Sequence, residues 1–190
     1  MAVKKPLIVE LSEEILRILG KEFQETNLSE FDIARASSLI TKAEKIHPAL
    51  GHSFRACLCC VTGKHEKSLY EHEIAMSLEP DNTVIALNCA ATLFRLGKFE
   101  ETLELTLSVL GKDKGNISAA SRAPYAAYHC GDARLPFLLD AYKTLTGETH
   151  EVDAWLAEDI EDEADIPGII AEAKMDGYIP WEKAAKELGL

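Results

Sequence analysis

Residues 97–110, GKFEETLELTLSVL, pass from a turn dipeptide into an amphipathic run whose apolar positions follow a helical period. The stretch at 63–78, GKHEKSLYEHEIAMSL, opens the same way. Upstream of each Gly-Lys pair lies a helical-looking run rich in Ala, Leu and Cys: ALGHSFRACLCCVT and TVIALNCAATLFRL. A third such run, ISAASRAPYAAYHC, precedes Gly131 and Asp132. Gly63, Gly97 and Gly131 therefore stand 34 residues apart, twice over, each followed by a polar residue. Glycine suits a tight, left-handed turn between antiparallel helices because it has no Cβ to clash. The pattern predicts an all-α chain of helical hairpins. An earlier pair, over roughly residues 9–24 and 30–47, reads as a degenerate first hairpin: Ser12 and Ser29 serve as N-caps, and Pro48 ends the second helix.

Two helices in each 34-residue period is the arithmetic of the tetratricopeptide repeat, and the sequence resembles that family at particular positions. Numbered from residues 49, 83 and 117, all three glycines fall at position 15. Ala56 and Ala90 match the small residue of the first helix, and Ala75 a small residue of the second. Pro80 falls where the family's helix-stopping proline falls. Position 4, usually large, holds His52, Ala86 and Ala120; position 20, usually Ala, holds Ser68, Thr102 and Pro136. Pro124 lies inside the first helix of the third unit and Pro136 near the start of its second, so that unit is expected to be kinked, shortened or re-registered. The implied organisation is a degenerate hairpin at 1–48, repeats at 49–82, 83–116 and 117–150, and an acidic helical extension at 151–190.

In the family this sequence resembles, stacked hairpins form a solenoid whose concave face, lined by the first helices, binds peptides. Carried over by position, that face takes Leu50, Ser53, Phe54, Cys57, Cys60 and Val61 from the first clear unit. The second contributes Val84, Leu87, Asn88, Ala91, Phe94 and Arg95, and the third Ser118, Ser121, Arg122, Tyr125, Tyr128 and His129. The strip is aromatic and partly basic, the residue types that anchor interfaces. Asn88 and Arg122 also match two of the five positions of the family's carboxylate clamp, while Ser53, Cys57 and Ser118 depart from it. The plainer alternative makes Phe94, Tyr125 and Tyr128 core residues of a compact bundle.

Charge alters the picture near the C-terminal end. The net charge is −12, and eight acidic residues with no basic ones lie between Glu151 and Asp165. Phosphate recognition needs clustered Lys and Arg, so nucleic acid is not the expected partner. Trp155, Leu156 and Ile160 punctuate the acidic run at helical spacing, as in a capping helix with a solvated acidic face. The ending GYIPWEKAAKELGL resembles the C-termini of bacterial antitoxins, which implies an arm wrapping a basic protein partner. Trp155, Ile169, Ile170, Tyr178 and Trp181 are its candidate contacts; the alternative is that they dock on the last repeat as a cap.

No run approaches the roughly 18–20 apolar residues of a membrane span, and the first residues lack the apolar core of a signal peptide. Five cysteines, an odd number with three crowded at Cys57, Cys59 and Cys60, make a poor disulfide framework and point to a reducing cytoplasm. Cys57 and Cys60 have CxxC spacing, but they lie within a helical run and lack a second pair for zinc. His65 and His72 are seven apart, not at the i, i+4 spacing of zinc proteases, and read as part of a solvated helix face. No phosphate-cradling loop or nucleophile motif is present. The expectation is a non-enzymatic adaptor or chaperone without metal or cofactor, holding a protein or peptide client, with the antitoxin-like inhibitor as alternative. Small acidic secretion chaperones with about three such repeats are the nearest analogue.

Overall fold

The computed structural model describes residues 6–20 and 28–162, and among these every regular element is an α-helix. In chain order they are α1 (Leu7–Leu19), α2 (Glu30–Ile46), α3 (Pro48–Val61), α4 (His65–Leu78), α5 (Thr83–Arg95), α6 (Phe99–Lys112), α7 (Ile117–Cys130), α8 (Leu135–Thr146) and α9 (Glu151–Asp162). The chain divides into two compact units, Met1–Gly97 and Lys98–Leu190; the division falls within the 83–116 segment, at the turn between α5 and α6.

Local chemistry places the helix ends. Gly63, Gly97 and Gly131 have φ of 72°, 71° and 65°, the left-handed corner that their spacing predicts. Asn82 Oδ1 accepts from the backbone N–H groups of Val84 and Ile85, at 3.1 and 3.2 Å. Asn116 Oδ1 accepts from that of Ala119 at 3.0 Å. Pro48 occupies the first turn of α3, where its missing N–H costs nothing.

Two expectations need correction. The first helix starts at Leu7, so Ser12 lies inside it and its hydroxyl donates to the Ile8 carbonyl at 2.7 Å. The reason is packing: Leu11, Ile15, Ile18 and Leu19 are buried, and Ile8 extends their stripe one turn back past Ser12. In the third unit, α7 runs unbroken over 14 residues despite Pro124, and the expected shortening falls instead on α8, which has 12 residues and starts four after its glycine where α4 and α6 start two after theirs. The proline ring is buried on the same face as Ala120 and Ala127, and Gly131 still closes the helix in register. Pro136 falls in the first turn of α8, a position that suits it.

In the first unit each helix packs on the next, and α1 also touches α3 while α3 touches α5. Alternate helices are thus neighbours, as in a series of hairpins. One core joins α1, α2 and α3 through Ile15, Ile18, Ile40, Ala43, Phe54 and Leu58. A second joins α3, α4 and α5 through Ala49, Ala75 and Ile85. Gly51 marks the close approach of α2 and α3, since a Cβ there would lie 2.4 Å from Glu44 Cα. In the second unit α7 packs on α6 and α8 and also meets α9. Its core holds Leu103, Val109, Leu135, Leu138, Leu139, Val152 and the alanines of α7.

Candidate peptide-binding face

The first helices of the hairpins carry the candidate residues. On α5, Leu87 is buried and adds to the core rather than to an open surface. Asn88, Ala91 and Phe94 are half-buried and Arg95 is exposed, because these positions lie toward the less covered side of the helix. On α3, Ser53 and Phe54 are buried, and Leu50, Cys57 and Val61 pack against the core shared with α1 and α2. The core formed with α1 and α2 covers this strip of α3.

On α7, Arg122, Tyr125 and Tyr128 are half-buried and His129 is exposed. Burial works against the charge of the Arg122 guanidinium and lowers its pKa. Trp155 of α9 sits over the other three, with ring centroids 5.4 Å from Tyr125, 5.5 Å from Tyr128 and 6.3 Å from His129. His129 stacks on Phe99 at 4.6 Å and 19°. The offset and edge arrangements are those favoured by aromatic quadrupoles. Trp155, read from the sequence as part of the tail, is therefore packed against residues read as groove. Ile169, Ile170, Tyr178 and Trp181 lie outside the described residues.

Residues at the start of α9 complete the cluster. The Tyr125 hydroxyl donates to Glu151 Oε2 at 2.8 Å. Burial, with that hydrogen bond to a carboxylate, pushes the phenol up to about 12. His150 is buried, its Nδ1 accepting from the Val152 N–H at 3.2 Å and its Nε2 donating to the Ser121 carbonyl at 2.8 Å. Those two partners select the Nε2–H tautomer. Tyr125 and Tyr142 flank the same ring at 4.4 and 4.8 Å. Nothing in the repeat pattern marks His150, Glu151, Tyr142 and Phe99 as members of this cluster. His47 caps α3 in a way similar to His150, its Nδ1 accepting from the Leu50 N–H at 3.4 Å.

Polar residues elsewhere hold the fold. Glu71 of α4 is buried, with His52 Nδ1 2.8 Å and Arg55 Nε 3.7 Å from its carboxylate. Glu44 of α2 pairs with Arg55 and lies 3.6 Å from His52 Nε2. This network ties α2 and α4 to α3, and His52 fills a position where the resembled family is usually large. Ser68 and Thr92, also buried, join by their hydroxyls at 3.0 Å.

The reading of His65 and His72 as a solvated face is corrected: His72 is only 1 % exposed, and its Nδ1 has no hydrogen-bond partner among the described residues. Packing on both α3 and α5 leaves α4 more than one covered side. Its inward residues are Ser68, Glu71, His72 and Ala75. Burial lowers the His72 pKa to about 4 and, with Cys60 nearby, raises the Cys57 thiol to about 11. A thiol so held is protonated and a weak nucleophile. Among the described residues no group of three or more His, Cys, Asp or Glu is placed to hold a metal, and no helix is long and apolar enough to cross a membrane.

The sequence matches no known family model and no curated protein, so the tetratricopeptide likeness rests on the positions named above.

Proposed function

We propose that this chain is a non-enzymatic protein-binding scaffold, an adaptor or chaperone that holds a peptide or helix of a client against the first helices of its hairpins. The observation that carries this reading is the contact between alternate helices, α1 with α3 and α3 with α5. It brings side chains of separate hairpins side by side, as a surface that follows an extended ligand requires. On α5 this face offers the half-buried Asn88, Ala91 and Phe94 and the exposed Arg95. Within the second unit, α7 carries its own set at the same repeat positions, Arg122, Tyr125, Tyr128 and His129. Aromatic and Arg side chains carry most of the energy in protein interfaces. A reducing cytoplasm suits the five free thiols.

Site-specific photo-cross-linking tests the reading. Photoreactive residues at Asn88 and Arg95 should capture a client in cells, whereas residues at the exposed Lys45 and Glu73, on second helices, should not. Capture from the second helices alone would overturn the scaffold. Truncation after Asp162 addresses the antitoxin-like alternative. A scaffold keeps its cross-links without 163–190, and an inhibitory tail loses its target outright.

A further inference from the structure

The face of α7 read above as a docking surface is occupied, within the second unit, by α9 of the same chain. We propose that α9 is a displaceable strap: it holds the place on α7 that a client segment takes, and it lifts to admit one. The proposal rests on the scaffold reading of α7.

Three observations support it. The first is the form of the contact. Trp155 covers Tyr125, Tyr128 and His129 beside the buried His150 and Val152, while Ala154, Ala157 and Glu158 on the other side of α9 are exposed. A helix held on a face by a few inward residues, with its outer side in water, has the form of a peptide seated in a groove.

The second is the composition of α9. Glu151 and Asp153 in its first turn complement the helix dipole, but the sequence of α9 holds no basic residue to pair with its acidic ones. A short helix without pairs of opposite charge has little stability of its own and depends on its packing. That packing comes from the buried His150 and Val152 and from Trp155.

The third observation is what α9 says about the occupant. Its pattern is an acidic side chain four residues before a bulky aromatic, with Glu151 accepting from the Tyr125 hydroxyl and Trp155 lying over the α7 rings. A client segment that replaces α9 carries the same pair, an acid followed at i+4 by an aromatic.

Hydrogen exchange on the full chain, with peptide binding, tests the strap. In the wild-type chain the amides of α9 should exchange roughly tenfold or more faster than those of α7, because α9 opens by itself. Exchange of α7 and α9 at one common rate would overturn the proposal. A synthetic peptide of residues 149–162 serves as the client mimic. It should bind the full-length Trp155→Ala chain about tenfold more tightly than the wild-type chain, whose own α9 competes for the face. Equal affinity for the two chains, or undiminished binding when the peptide's own tryptophan is replaced by alanine, would overturn it. If Trp155→Ala fails to fold, the double variant Ala154→Lys/Ala157→Lys, at two exposed positions of α9, decides instead. It gives Glu151, Asp153 and Glu158 partners three or four residues away, and should slow α9 exchange several-fold and weaken peptide binding; unchanged exchange counts against the strap. A strap that behaves as expected while Asn88 and Arg95 cross-link nothing would retain this inference and remove the scaffold reading alone.

Discussion

At Gly97 the backbone turns with φ of 71°, and an added Cβ would meet nothing within 4 Å; at Gly51 it would meet the Glu44 backbone at 2.4 Å. The two positions should fail for different reasons. Gly97→Ala loses only the conformational preference, about 1–2 kcal/mol by urea unfolding, and Gly97→Asn should recover part of it because Asn tolerates the left-handed region. Gly51→Ala drives α2 and α3 apart, costs about 1–3 kcal/mol, and gains nothing from Asn. His72 sets a pH limit. Its folded pKa of about 4 lies below the ordinary 6.5, so between these values the unfolded chain binds the extra proton. Stability is present in full above pH 6.5 and falls as pH drops toward 4, by about 3 kcal/mol from this group. His72→Gln should flatten that part of a stability-against-pH curve; an unchanged slope would remove His72 as the cause. The glycine corners could be read from their spacing alone. The inward turn of His72 could not, because α4 carries polar residues on its covered side, with no apolar stripe to mark it.

Among the helices, those with Asn at the N-cap have a side-chain acceptor for their free N–H groups, while α4 and α6 begin at Lys64 and Lys98 without one. Asn82→Ala and Asn116→Ala should each cost about 1 kcal/mol of stability in denaturant unfolding. The start of α1 shows why caps alone mislead: Ser12 is a competent cap residue, but the buried stripe through Ile8 and Leu11 rewards one more turn. Pro124 teaches a similar lesson in α7. Its ring is buried with the alanines of the same face, and the helix continues through it without a break. Ile15, with no exposed surface, anchors α1 to α2 and α3, and Ile15→Ala should cost about 2–5 kcal/mol.

For the whole molecule, the acidic character belongs to one segment. The eight carboxylates between Glu151 and Asp165 account for most of the net charge of −12. The cut that separates scaffold from tail is the one after Asp162. A cut at residue 151 removes Trp155 as well and uncovers the α7 rings, confounding loss of a partner with loss of α9. Client cross-linking with and without 163–190 is the measurement that reads this scale.

The sequence by itself determined the helical hairpins, their glycine corners and their interval, because turn conformation and helical period are written in a few adjacent residues. It also marked small residues such as Ala56, Ala75 and Ala90, all fully buried. Only the tertiary structure decided which sides of each helix are covered: Leu87 in the core, His72 and Glu71 facing inward, Trp155 resting on α7. A helix among several neighbours is covered on more than one side, and helical periodicity describes one. The partner that covers the rest comes from a distant part of the chain, as α9 does for α7.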